Sequence, residues 1–363
     1  MIRAGLVGFG MAGRVFHGPL LSSVDGLELS AVVERHSDNA VARYPGITTY
    51  RSLDALLADD SIDLIVIATP SGSHFELVKR TLEAGKSVVV DKPACTTAAE
   101  IATLIELADQ HNLLLAPFQN RRWDSDFQTI QKLLLEDSLG RLVSFESNFY
   151  RWRPVPKPAW KESTRLGGGA LLDLGTHLVD QALMLFGKPE AVSAEVLRER
   201  DQTEDGTGAE DAFTVRLFYP QLTVTLGSNC LTTGTGLRFH LRGTKGNFYK
   251  WGLDPQEARL NQIRRIEEAD WGTESASNWG TLSVDVEGGM VDRPVKSIPG
   301  DYRQYYAGVR DALLGKSELP VTALEAWRTA KVLELALASA EQQRVLACDG
   351  DDEPETPGSV INR

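Results

Sequence analysis

Three residues of this 363-residue chain have the types and spacing that acid/base chemistry on an alcohol requires: Lys92, Asp173 and His177. Oxidising a secondary alcohol needs a group that takes the hydroxyl proton while hydride leaves carbon. Lys92 and His177 can share that work. Lys92 stands in Asp91-Lys92-Pro93, just past the apolar run Val88–Val90, and Pro93 stiffens the turn behind it. Asp173 and His177 are four residues apart, which places them on one face if the segment is helical. A carboxylate there can orient the imidazole and raise its pKa toward working pH. The same spacing suits two metal ligands or a satisfied helix pair. No third ligand stands at a recognisable spacing, so no zinc is expected. Asp180 reads either as a support for this pair or as a surface cap.

A second constellation precedes it. Gly8-Phe9-Gly10-Met11-Ala12-Gly13 is a G-x-G-x-x-G string between a strand-like run and a helix-like one. The first glycine permits a tight turn, the second lets the backbone approach a pyrophosphate, and the third lets helix and strand pack closely. The helix N-terminus then offers free N–H groups to phosphates. Dinucleotide binding follows. The next strand ends Val33-Glu34-Arg35, and a carboxylate about twenty residues past the last glycine can accept both adenosine ribose hydroxyls. Glu34 therefore favours NAD over NADP, whereas Arg35 can pair with a 2′-phosphate or stack on adenine. The cofactor is read as NAD or NADP, with NAD ahead.

These groups need elements to hold them. Runs at Ile2–Val7, Leu27–Val33, Leu64–Ala68, Val88–Val90 and Leu113–Ala116 alternate with helical stretches, which predicts a parallel, doubly wound α/β sheet over residues 1–122. Ser73-x-x-Glu76 and Thr97-x-x-Glu100 read as capping boxes that start two of the helices. Ligands bind at the strand ends of such sheets, so the cleft is expected there. After a helix near Asp124–Glu136, closely spaced alternating runs predict an α+β domain over 123–348 with a large, mainly antiparallel sheet. Helices are expected near Tyr302–Leu314 and Leu324–Glu341, and the polar tail 349–363 reads as disordered. The broad face of the second sheet needs a cover, and a partner subunit in a homodimer or homotetramer would supply it.

Further residues fall near the expected cleft. Thr69, Pro70, Ser71 and His74 follow a parallel strand; His74 reads as lining the cofactor or as a helix-start histidine. Asn120, Arg121 and Trp123 sit at the seam of the two domains. Tyr150, Arg151, Arg153 and Trp160 supply donors and flat faces that suit a polyol, or equally an interface.

Composition excludes several classes. A formal charge of -12 leaves no general basic surface for nucleic acid or an anionic membrane. Cys95, Cys230 and Cys348 lie far apart, which argues against a disulfide framework and for a reducing compartment. No apolar run approaches the ~20 residues that span a bilayer, and the first residues read as a strand, so a cytoplasmic location is expected.

With Asp91-Lys92-Pro93, and Gly167-Gly168-Gly169 leading into Asp173-Leu-Gly-Thr-His177, the chain resembles the Gfo/Idh/MocA oxidoreductases. Asn120-Arg-Arg-Trp-Asp124, Phe145-Glu-Ser147, Asp173–Phe186 and Gly252–Glu257 further resemble the scyllo-inositol dehydrogenase branch. The resemblance implies a nicotinamide-dependent dehydrogenase of a cyclic polyol or aldose, in which Lys92 polarises the reacting hydroxyl. It also implies cofactor contacts at Asp91, Lys92, Pro93, Asn120 and Arg121. Asp91 replaces the usual glutamate, and Gln119 stands where the branch has a histidine. Alternative readings keep the fold but act on an oxidised glycoside or dihydrodiol, or bind nicotinamide without turnover.

Overall fold

The computed structural model describes residues 1–156, 160–163, 167–201, 208–262, 266, 270–287, 289–350 and 352–354. Strands β1 (Ile2–Val7), β2 (Leu27–Val33), β3 (Thr48–Tyr50), β4 (Leu64–Ile67), β5 (Ser87–Val90) and β6 (Leu115–Pro117) form one sheet in the order β3-β2-β1-β4-β5-β6. Every pairing in it is parallel. β4 and β5 are buried throughout, as strands covered on both faces must be, which is why they read as unbroken Val/Ile runs. The order reverses between β1 and β4, and the crevice outside the ends of those two strands is where such sheets bind ligands.

The second sheet contains β7 (Leu142–Tyr150), β8 (Ala191–Leu197), β9 (Ala212–Tyr219), β10 (Leu222–Asn229), β11 (Leu237–Gly243), β12 (Gly246–Trp251), β13 (Gly280–Val286), β14 (Gly289–Val295) and β15 (Leu346–Ala347). Its order is β14-β13-β12-β11-β7-β10-β9-β8-β15. All pairs are antiparallel except β7 with β10. The sheet is thus mainly antiparallel, as its alternating sequence indicates. Its edge strand β14 is exposed along nearly its whole length and carries no apolar alternation to read.

The chain ties the two sheets together at its C-terminal end. Tyr302, Tyr305, Tyr306 and Val309 are buried in one cluster with Ile2, Leu6 and Leu29 of the parallel sheet. The helix Ala323–Gln342 packs Ala326 and Trp327 beside the parallel sheet, and Val332, Leu333 and Ala336 beside the antiparallel one. A capping box of Thr322 and Glu325 fixes its start. A single rigid helix under both sheets holds the strand ends of one in register with the other, which a site assembled from both requires.

Thr97 and Glu100 form the expected capping box, but Ser73 and Glu76 do not. The Ser73 hydroxyl instead donates to the Pro70 carbonyl at 2.7 Å and faces Thr69 Oγ1 at 2.8 Å, because the chain passes through a tight turn before the helix. Of the polar tail, residues 351 and 355–363 lie outside the described residues. Asp352 meets Lys331 at 2.6 Å and Glu353 pairs with Arg328. Among the described residues no helix is long and apolar enough to cross a membrane.

Candidate active site

The glycine turn between β1 and the first helix has three glycines with three different reasons. Gly8 has φ +97°, and a Cβ there would meet the Ala68 carbonyl oxygen at 2.7 Å. A Cβ on Gly13 would meet the Gly8 carbonyl oxygen at 2.1 Å. Both are demanded by the protein's own packing. Gly10 is different, since nothing lies within 4 Å of where its Cβ would stand and its φ lies outside the left-handed region that favours glycine. The fold itself has no need of a glycine there; a pyrophosphate approaching the backbone does. Phe9 packs edge-on against Tyr44, and Met11 is exposed beside the turn. The cradle fits a dinucleotide. Two variants separate these causes. Gly13→Ala is expected to lower the unfolding temperature through about 1–3 kcal/mol of overpacking. Gly10→Ala is expected to leave it unchanged while cofactor affinity, followed by fluorescence titration, falls about tenfold or more. Wild-type affinity in Gly10→Ala would show that the open space is not used.

Glu34 is buried rather than presented as the sequence suggests. Its carboxylate accepts the Ser37 hydroxyl at 2.7 Å and the Ala40 N–H at 2.8 Å, which caps the short helix Asn39–Arg43. Each oxygen accepts one hydrogen bond and retains a second lone pair, so both keep acceptor capacity. Arg51 braces the same loop through the carbonyls of Glu34 and Ser37. Arg35 is exposed.

His74 is the first residue of the helix His74–Glu83, in line with one of its two sequence readings. Its ring is buried between two carbonyls, Pro93 O at 2.8 Å and Thr69 O at 2.9 Å. It staples the loop after β4 to the loop after β5, the loop that carries Lys92. Ser71 is buried beside it, whereas Pro70 is half-buried.

Past the end of β5, Asp91 accepts the Lys92 N–H at 2.8 Å. Burial pushes this carboxyl upward, but His17 and Lys92 outweigh it and hold the pKa at about 2. Asp91 thus remains charged and anchors the backbone of the lysine. His17, itself buried, meets Tyr306 at 2.7 Å and approaches Asp91 at 3.8 Å.

Lys92 reaches across to the other unit. Its Nζ donates to the Asp173 carbonyl at 2.6 Å and to Asp173 Oδ1 at 2.8 Å. An ammonium has three N–H donors, so one is left over. A second lysine, Lys161, donates to the same Oδ1 at 2.6 Å. The glycine triplet explains how it gets there. A Cβ on Gly168 would come within 2.4–2.7 Å of the carbonyl oxygens of Ser163, Trp160 and Lys161, and Gly169 N–H donates to the Lys161 carbonyl at 2.9 Å. Only glycine lets the two segments lie this close, and their contact presents Lys161 to Asp173. Burial opposes the charge on Asp173, but Lys92 and Lys161 hold its pKa well below the usual carboxylate range. Lys92 is drawn downward, chiefly by burial, with Lys161 adding repulsion against the pull of Asp173.

The expected Asp173–His177 pair does not form. Asp173 lies in a π-helical turn, Leu171–Gly175, which widens the backbone before the helix Thr176–Phe186 begins. Its side chain goes to the lysines. Neither nitrogen of His177 hydrogen-bonds a described residue, and Nδ1 is buried without a partner. The pKa of His177 is lowered well below the ordinary histidine range, first by burial and then by Lys92 and Arg121, rather than raised by the carboxylate. Burial and the neighbouring cations both disfavour the protonated ring.

Arg121 sits between Asp124, at 3.4 Å, and Glu257, and lies over the Phe149 ring. Arg122 grips Asp180 with two bonds of 2.8 and 2.7 Å, so Asp180 is a buried ion-pair partner and not a surface cap. Asn120 is buried on the same tight turn, and Trp123 packs edge-on against Tyr305. Gln119 is buried beneath the site and reaches Thr176 Oγ1 at 3.3 Å. Tyr150 and Arg151 are half-buried at the end of β7, Arg153 is exposed, and Trp160 lies under Lys161 at 5.6 Å. Sequence reasoning missed Lys161, His17 and Glu257. A loop lysine carries no periodic signal, though the Gly167–Gly169 run marks a close backbone approach that something must meet.

The descriptions "Oxidoreductase family, NAD-binding Rossmann fold" and "Oxidoreductase family, C-terminal alpha/beta domain" match residues 2–118 and 131–347. The chain belongs to the Gfo/Idh/MocA oxidoreductase family. It is 40% identical over 346 residues to the uncharacterized oxidoreductase YdgJ of Escherichia coli, covering 95% of this chain and 98% of YdgJ. It is 34% identical over 345 residues to the scyllo-inositol 2-dehydrogenase (NADP(+)) IolW of Bacillus subtilis, covering 95% of each. The solved structure of the YPO2259 oxidoreductase from Yersinia pestis superposes with a TM-score of 0.90 at 41% identity, covering 97% of this chain and 98% of that one. The family places an NAD(P)-binding Rossmann fold on the parallel sheet.

Proposed function

We propose that this oxidoreductase moves hydride between a nicotinamide and a secondary alcohol carbon of a cyclic polyol or aldose. One observation carries the reading. Lys92 is clamped to Asp173 by two of its three N–H groups, beside a buried His177 whose ring nitrogens hydrogen-bond no described residue. That arrangement suits an oxygen bearing a proton and, in the transition state, negative charge. Similarity to IolW, an inositol dehydrogenase by name, supports the substrate class.

The nicotinamide, when bound, accepts hydride in oxidation and returns it in reduction. The protein's part is to handle the oxygen. The third N–H of Lys92 binds the substrate oxygen and steadies the charge that develops on it. His177, kept unprotonated by burial and neighbouring cations, takes the hydroxyl proton and returns it in the reverse reaction. Lys161 holds Asp173 as a carboxylate, which keeps Lys92 in place. Residues 1–122 form the nicotinamide-binding unit and 123–348 the substrate unit in this reading. Self-association would cover the second sheet, where Trp251, Leu253 and Met290 are exposed. Incubating the protein with inositols and aldoses and either oxidised cofactor, while following near-ultraviolet absorbance of reduced nicotinamide, tests the reading. Absence of reduction with every polyol and both cofactors would refute it.

Cofactor preference follows from Glu34. Although its oxygens are engaged, its charge stays at the end of β2 and opposes a 2′-phosphate, so NAD is favoured. Glu34→Gln retains an acceptor for the Ala40 N–H while removing that charge. The NADP/NAD ratio of kcat/KM is expected to rise about tenfold, a difference of ~1.4 kcal/mol. A ratio already in favour of NADP in the wild type would assign the decision to Arg35.

A further inference from the structure

Lys161 lies on one short helical turn, Trp160–Glu162, and Asp173 on the π-helical turn Leu171–Gly175. A single turn does not hold itself, because one hydrogen bond does not offset the ordering of the residues that make it. Yet Lys161 Nζ meets Asp173 Oδ1 at 2.6 Å. A long, flexible side chain keeps one geometry only when its backbone is fixed first.

A third stretch of chain, residues 208–211 just before β9, grips both turns. On the Asp173 side, the Glu210 carbonyl accepts the Ala170 N–H at 3.0 Å, and Glu210 Oε1 accepts the Leu171 N–H at 3.2 Å. The carboxylate lies so close to Gly169 that a Cβ there would meet Oε1 at 2.1 Å. On the Lys161 side, the Ala209 N–H donates to the Glu162 carbonyl at 2.9 Å, and Gly208 forms a β-bridge with Ser163. The Glu162 side chain is held by Arg200, whose Nη2 donates to Oε2 at 2.6 Å while its Nε donates to Asp211 Oδ2 at 2.9 Å. Arg200 and Asp211 are both buried. One guanidinium thus spans from Asp211 to the residue next to Lys161. Desolvation offsets much of the attraction in such a pair, so its stability is a poor reason for it; what its planar fork does impose is geometry.

We infer that residues 208–211 are the template on which Lys161 and Asp173 are brought together, with Arg200 and Glu210 as positioning residues that act through them. Glu210 aims the carboxylate that clamps Lys92, and Arg200 sets the turn that carries Lys161. Only the kinetic part of the test rests on the proposed hydride transfer.

The test compares variants of the full chain. Arg200→Lys keeps a charge beside Asp211 but lacks the fork that also reaches Glu162. Glu210→Ala removes the acceptor for the Leu171 N–H, and Glu210→Gln keeps one. Acetylation of Lys161 by acetic anhydride, read by mass spectrometry against the exposed Lys132, needs no turnover. Arg200→Lys and Glu210→Ala are each expected to raise Lys161 labelling about threefold, the size of a partly exposed ion pair, and Glu210→Gln to restore it. With a reacting polyol, Arg200→Lys should move the acidic limb of kcat/KM upward as Lys161→Met does, and the two combined should move it no further. Glu210→Ala should lower kcat about tenfold or more through misplacement of Asp173, with Glu210→Gln again restoring it. Should Arg200→Lys fail to fold, Glu162→Gln, which keeps the shape and removes the charge, takes its place in the labelling. A lower unfolding temperature with labelling and pH limb unchanged would mean a merely structural pair and overturn the inference, as would additive shifts in the combined variant. Raised labelling with no turnover of any polyol would sustain the template and refute only the hydride-transfer reading.

Discussion

Lys92→Met is expected to lower turnover at least ~100-fold while the fold and cofactor affinity persist, because removing one donor from a developing oxyanion typically costs 10²–10³. Methionine nearly matches lysine in length but can neither donate nor carry charge. The loss has two parts. The third N–H leaves the substrate oxygen without its donor, and Asp173 loses one of the two ammonium groups that share Oδ1. Lys161 still pairs with that oxygen, so the carboxylate is not left uncompensated and the domain seam should survive. Steady-state kinetics beside circular dichroism and cofactor titration distinguish this from unfolding. Near wild-type turnover on a polyol would remove Lys92 from the mechanism.

His177→Ala is expected to cost 10²–10⁴ in turnover, the range for a positioned acid/base group. The pH profile gives a sharper signature. A base must be unprotonated to act. Burial and the neighbouring cations lower the His177 pKa, so the acidic limb of kcat/KM for oxidation should fall below the ordinary histidine range. Lys161→Met removes one of those cations and should move the limb upward. Had Asp173 paired with His177, the limb would lie at or above the ordinary value. A limb there, or unchanged turnover in His177→Ala, would contradict the assignment.

Five strands of the parallel sheet were legible as apolar-rich runs separated by helix signals, whereas β3 is a short Thr-Thr-Tyr segment with no such run, and Gly8 and Gly13 follow from packing that any such turn requires. Lys92 could be located from its place past β5. Orientation was less legible than position. Asp173 and His177 have helical spacing, but the π turn at Leu171–Gly175 changes where the carboxylate points, and nothing in the residue types signals an extra backbone residue per turn. Glu34 stands at the expected strand end, yet Ser37 and the Ala40 N–H compete for its oxygens, a local contest that spacing does not decide. Lys161 becomes a site residue only because Gly168 allows a close backbone approach from another segment. Such contacts between distant segments leave no periodic trace in the sequence.

The central claim, that this chain transfers hydride directly from a polyol carbon, is most directly tested by isotope. The protein is given an oxidised nicotinamide cofactor and a polyol substrate deuterated at the reacting carbon, and the reduced cofactor is examined by mass spectrometry. The account predicts that each reduced nicotinamide carries the deuterium, and that Lys92→Met and His177→Ala slow this transfer without diverting it. Reduced cofactor free of deuterium, with the label released to solvent, would contradict it.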